Sequence, residues 1–110
     1  MKQYGQTLNL KNDPAIIRRY VEYHRDVWPE VENGLKAIGI TRMHIFLHGT
    51  RLFMFMETVD GFEPERDFAR YEAGHARVRK WQRLMEAMQE PVPGAQPGEW
   101  WSRMELVYSL

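Results

Sequence analysis

The sequence contains no cysteine. That absence excludes disulfide frameworks, thiol nucleophiles and thiolate zinc sites, so any reactive or ligating group must use nitrogen or oxygen. Long apolar runs are missing too, and no stretch of about 18 or more residues reads as a bilayer-spanning helix. The opening MKQYGQTLNL lacks the apolar core of a secretory signal, so the expectation is a cytoplasmic protein. Net charge is absent as well: 15 Lys and Arg balance 15 Asp and Glu. Without an overall field to draw in polyanions, nucleic acid and anionic membranes are poor partners, and a neutral small molecule fits better. No glycine-rich phosphate loop, P-loop, dinucleotide fingerprint or G-x-S-x-G motif occurs. The expected chemistry uses no cofactor.

What is present is a chain of 110 residues with 44% hydrophobic content, enough for one domain over 1–110 with a buried core. Tyr4, Gln6, Leu8 and Leu10 alternate with Gly5, Thr7 and Asn9, which predicts a strand. Asp13 is suited to cap a helix, and Pro14 to its first position. Ile16, Tyr20, His24 and Trp28 follow at i, i+4 spacing with Ile17 and Val21 beside them, so one stripe faces inward. Pro29 breaks the axis and opens a second helical piece, either a bend or a separate helix. Gly39 ends that piece in a left-handed conformation.

ITRMHIFLHG and RLFMFMETV form a hairpin around His48, Gly49 and Thr50. Residues 64–90 read as helix, interrupted near Gly74, with Val78, Trp81, Leu84, Met85 and Met88 inward. Residues 90–100 are a proline- and glycine-rich loop, and WWSRMELVYSL alternates as a last strand. The order β, α, β, β, α, β predicts an α+β, ferredoxin-like fold. Residues 52–56 are apolar at every position, so that strand offers apolar groups to both faces of the sheet. A second copy packed sheet to sheet would cover the free face, giving a homodimer, a dimeric α+β barrel with an interior cavity.

Several side chains on this frame can carry chemistry. His24 exchanges protons near neutrality, and Tyr20, one turn earlier on the same face, can orient it or bind a ligand. Trp28 and Trp81 suit either packing or a platform for the C–H face of a sugar. Arg103 and Glu105 share a strand face with Trp101, where they could recognise hydroxyl groups, with Glu105 a candidate proton acceptor; a solvated ion pair on an edge strand fits the same pattern. His44 and His48 share a strand face but lack a carboxylate set, so no metal site is expected. His75 stands among surface residues.

The run Y-x-x-x-H-x-x-x-W-P-E-V, here Tyr20, His24, Trp28, Pro29, Glu30 and Val31, resembles the signature of the L-rhamnose mutarotase family. Gly39, the LFM hairpin core at 52–54, Trp81 and the M-E-L-V-Y-S-L terminus at 104–110 match in order, so the resemblance spans essentially the whole chain. It implies a dimeric α+β barrel isomerase, without metal or cofactor, that interconverts the α and β anomers of a 6-deoxy-L-hexose. His24 would be the proton donor, and Tyr20 and Trp81 would hold the sugar. Two positions depart from rhamnose-acting members: Met43 stands where they carry tyrosine, and Gln82 where they carry a second tryptophan. Together with PGEWW and RLFMFMETV, these departures are more similar to the branch acting on L-fucose. Other functions hosted by such barrels are cofactor-free oxygenation, haem binding and non-catalytic sugar binding.

Overall fold

In the computed structural model, which describes residues 1–110, the first strand β1 (Lys2–Leu10) gives way to α1 (Pro14–Arg25) at a cap. The Asp13 carboxylate accepts the Ala15 N–H at 2.9 Å, and Pro14 takes the first turn, where a missing N–H costs nothing. Helix α2 (Pro29–Ala37) is separate, because Trp28 is extended (φ −61°, ψ 136°) ahead of Pro29. Gly39, at φ 103°, closes α2 and turns the chain into β2 (Ile40–His48). Gly49, at φ 61°, sits in the two-residue turn to β3 (Arg51–Thr58), as the primed turns of tight hairpins require.

The second helical region also divides, into α3 (Pro64–Gly74) and α4 (Ala76–Met88). His75 makes the break: it is extended, and its Nδ1 accepts the Arg77 N–H at 2.9 Å, so it caps α4. The last two strands are short, β4 (Gln89–Glu90) and β5 (Ser102–Met104). Both pair with β1, β4 opposite Asn9 and Leu10 and β5 opposite Gly5 to Thr7. The long terminal strand expected from alternation is therefore reduced to three residues, and 105–110 lie exposed beyond it. The antiparallel sheet runs β2-β3-β1-β4, with β5 sharing the β4 edge. This is the split βαββαβ arrangement that the element order predicts.

All four helices cover one face of the sheet. Leu10 of β1, Leu52 and Met56 of β3, and Val78, Trp81 and Met85 of α4 meet there, each buried. Burying each such Leu or Met side chain contributes roughly 1.5–3 kcal/mol. A register shift between Ile40 and Arg42 keeps Ile40 on this face together with Met43 and Ile45, which strict alternation would have separated. The opposite face carries the other half of the apolar run. Phe46 stacks on Phe53 (6.1 Å between centroids) and His44 on Phe55 (6.1 Å). Gly5 leaves room for this layer, since a Cβ there would meet Phe53 at 3.3 Å. In the single chain Phe46 remains 59% exposed. No helix is long and apolar enough to cross a membrane.

Candidate active site

The last turn of α1 fixes His24. Its Nδ1 lies 2.7 Å from the Tyr20 carbonyl oxygen. A carbonyl only accepts, so Nδ1 carries the hydrogen and the neutral ring keeps its lone pair on Nε2. Half-burial pushes the imidazole pKa below its ordinary 6.5, and the carbonyl contact offsets only part of that. At neutral pH His24 is therefore mainly an uncharged acceptor at Nε2. Tyr20, on the same face with ring centroids 4.3 Å away, is buried. Burial pushes its phenol up to about 12, against a smaller downward pull from the Gln89 amide. It stays protonated throughout the physiological range.

Trp81 of α4 packs against this pair. The rings of Tyr23, His24 and Trp28 meet it nearly edge-on at 5.7, 5.5 and 5.2 Å. Trp28 stands on the far side of the cluster. Its ring lies under the Arg77 guanidinium, 4.0 Å from centroid to Cζ, while Arg77 Nε reaches Glu30 at 3.2 Å. That position makes Trp28 a support for Trp81 rather than part of the cavity wall.

Tyr20, His24 and Trp81 open onto a cleft of about 1080 Å³ between the helices and the sheet. A monosaccharide fits within it. The cavity lies within one chain, between the helices and the sheet, and reaches round β2 to His44 and Phe46, whereas Phe53 and Phe55 take no part in its wall. Arg103 reaches the cleft from β5, its guanidinium 5.4 Å from the Tyr4 ring, and Trp101 lines it as well. Glu105 follows β5, is exposed and takes no part in the wall. Met43 and Gln82, the two positions of departure, both line the cleft.

Gln6, Gln89 and Trp100 also contribute polar groups to the wall, and sequence patterning did not single them out as site residues. Gln89 and Gln6 are buried, and Gln89 Oε1 accepts from Trp100 Nε1 at 3.0 Å. One signal was available: Trp81, Met85 and Gln89 fall at i, i+4, i+8, so Gln89 is a polar residue continuing an apolar stripe. His44 lies on the free sheet face, stacked on Phe55, and His48 is exposed at the hairpin end. No group of three His, Cys, Asp or Glu side chains is placed to hold a metal ion.

Comparison with known proteins extends this geometry. Residues 3–110 match the family model of L-rhamnose mutarotase. An L-fucose mutarotase of Xanthomonas campestris pv. campestris is 37% identical over 112 residues, spanning 100% of this chain and 89% of that protein. A UPF0734 protein of Dictyostelium discoideum is 45% identical over 112 residues, spanning 99% of this chain and 90% of that one. Among solved structures, L-rhamnose mutarotase from Formosa agariphila superposes with a TM-score of 0.71 at 20% identity, covering 100% and 99% of the two chains. The tetracenomycin F2 cyclase of Streptomyces glaucescens shares the fold at a TM-score of 0.61 and 18% identity, covering 100% and 97%.

Proposed function

The chain belongs to the L-rhamnose mutarotase family, isomerases acting on sugars, and from that premise we propose that it interconverts the α and β anomers of a 6-deoxy-L-hexose, L-fucose in preference to L-rhamnose. The observation that carries this reading is the His24 imidazole. Its own helix occupies Nδ1, so Nε2 is the nitrogen free for a ligand in a cleft shared with Tyr20 and Trp81. Anomer exchange needs a group that removes the anomeric hydroxyl proton while the ring oxygen gains one. The open aldehyde then turns about C1–C2 and recloses on its other face. Neutral His24 takes the anomeric proton in opening. As imidazolium it donates that proton back in reclosure, which is the donor role the family resemblance implies.

Trp81 offers an apolar surface to the sugar's C–H groups, and Arg103 is within reach of its hydroxyls. The preference for L-fucose is supported by the 37% identity to a protein named L-fucose mutarotase. It is supported also by Met43 and Gln82 lining the cleft where rhamnose-acting relatives carry aromatic groups. The chain is further proposed to act as a homodimer, its free sheet face covered by a second copy.

Saturation-transfer NMR on the anomeric protons of both sugars tests the assignment. Faster exchange is expected for L-fucose, and Met43→Tyr with Gln82→Trp is expected to raise the rate on L-rhamnose relative to L-fucose. Equal or faster exchange of L-rhamnose by the unaltered protein would overturn the preference.

A further inference from the structure

We propose that Gln6 and Gln89 are specificity-determining residues of the cleft, two carboxamides that bind different hydroxyl groups of the sugar and so read its stereochemistry. The inference rests on the mutarotase reading and assigns to that same site the groups that recognise its substrate. A carboxamide has two donor hydrogens and an acceptor oxygen, and burying it without partners is costly. Gln6 is 7% exposed and Gln89 4%. The Gln89 oxygen accepts from Trp100 Nε1 at 3.0 Å; an indole N–H only donates, so this contact fixes the oxygen on that side and turns the NH2 the other way. Neither that NH2 nor either end of the Gln6 amide forms a hydrogen bond within the chain, yet the enclosed side-chain polar atoms without a partner are Glu30 Oε2 and Ser102 Oγ alone. The free ends of both glutamines are therefore reached from the cleft, whose wall both residues help to form.

Strand register places the pair. Gln6 and Leu10 stand on one face of β1, and Gln89, opposite Leu10 in the antiparallel pairing of β1 with β4, points to that same face. Their backbones are separated by four positions of β1, about 13 Å, so the two amides meet different parts of a sugar ring rather than one hydroxyl. Across the strands, Gln6 stands in a row with Ile45 of β2, Met54 of β3 and Arg103 of β5, all four in the wall of the cleft. That row is apolar at its β2 end and polar at its β5 end. A 6-deoxy-hexose divides in the same way, with a methyl group at C6 and hydroxyl groups at C2, C3 and C4, so its hydroxyl-bearing edge belongs on the glutamine side. L-fucose and L-rhamnose differ in the direction of the hydroxyls at C2 and C4. A buried amide matched to one of them is left unpaired by the other, which is how a polar site rejects an epimer.

The test is a cycle between side chain and hydroxyl. Anomeric exchange is measured for whichever of L-fucose and L-rhamnose reacts faster and for its 2-, 3- and 4-deoxy analogues, with wild-type protein, Gln6→Met and Gln89→Met; methionine keeps the length of the side chain and removes the amide. The wild type is expected to lose about tenfold in kcat/KM on the analogue that lacks the hydroxyl Gln89 binds, and as much on the one that lacks the hydroxyl Gln6 binds. Each variant should lose about tenfold on the parent sugar, chiefly through KM, and no longer distinguish it from its own analogue. A glutamine with only a structural part would slow the parent and every analogue by one common factor. Trp100→Phe, which keeps the Gln89 amide and removes the N–H that orients it, should weaken the same discrimination as Gln89→Met, and it supplies the comparison where that variant does not fold. Equal losses on all analogues, or wild-type kinetics in folded Gln6→Met and Gln89→Met, overturn this proposal alone. A wild-type protein inactive on both sugars overturns the mutarotase reading and this proposal with it.

Discussion

At the scale of single residues, the proposed chemistry depends on a histidine that burial keeps neutral, and the same effect keeps the neighbouring Tyr20 protonated. In the proposed reaction His24 must begin uncharged, so its lowered pKa is expected to set the acid limb of activity. The exchange rate should be level above neutrality and fall as pH drops through a value below 6.5. A series of anomeric-exchange measurements across pH checks this; a rate that rises towards acid would assign the opening step to the imidazolium instead. The same group links folding to pH. The unfolded state binds the proton more readily, so this contribution to stability is full above about 6.5 and declines below it, down to the folded pKa. Tyr20, His24 and Trp81 were legible in the sequence because each stands on a helical stripe whose inward direction the 3.6-residue period gives. Gln89 and Trp100 were not, because they meet through the close of a helix and the return of a loop, and no period relates them. Glu105 falls beyond the last strand for a related reason: alternation shows which side a residue would face in a strand, not how far the strand runs.

At the scale of elements, turns were the most legible features, since they rest on backbone chemistry that few residues supply. Asp13-Pro14, Gly39 and Gly49 stand where a cap, a helix stop and a hairpin turn require them. Gly39→Ala tests the strongest of these. At φ 103° a Cβ would be strained, and it would also lie 2.7 Å from Val59 Cγ2. The expected loss is on the order of 1–3 kcal/mol in urea denaturation; an unchanged midpoint would mean that the α2–β2 connection relaxes freely. His75 escaped notice as a cap because histidine is not among the usual capping residues, although its ring nitrogen accepts as a carboxylate would. The last strand fell short because β1 divides one edge between two partners. Gln89–Glu90 take its end at Asn9 and Leu10, and Ser102–Met104 join only Gly5 to Thr7.

For the whole molecule, the sheet separates two apolar layers. One is closed by helices and borders the cleft; the other, with Phe46, Phe53 and Phe55, is open in the single chain, and the cleft reaches it at His44 and Phe46. The unbroken apolar run at 52–56 made both layers legible, but the side that holds the cavity became apparent only once the helix packing was known. Coverage by a second copy predicts that the protein sediments as a dimer and that Phe53→Glu sediments as a monomer, since two carboxylates would otherwise be buried near the shared face. A monomeric wild type would contradict that assembly. The central claim is that His24 moves the proton in anomer exchange. Its most direct test is saturation transfer between the anomeric protons of L-fucose with wild-type protein and with His24→Ala at matched concentration and confirmed fold. Transfer with the wild type that falls by about 100-fold or more in the variant is the predicted result, and transfer that persists in His24→Ala would contradict the account.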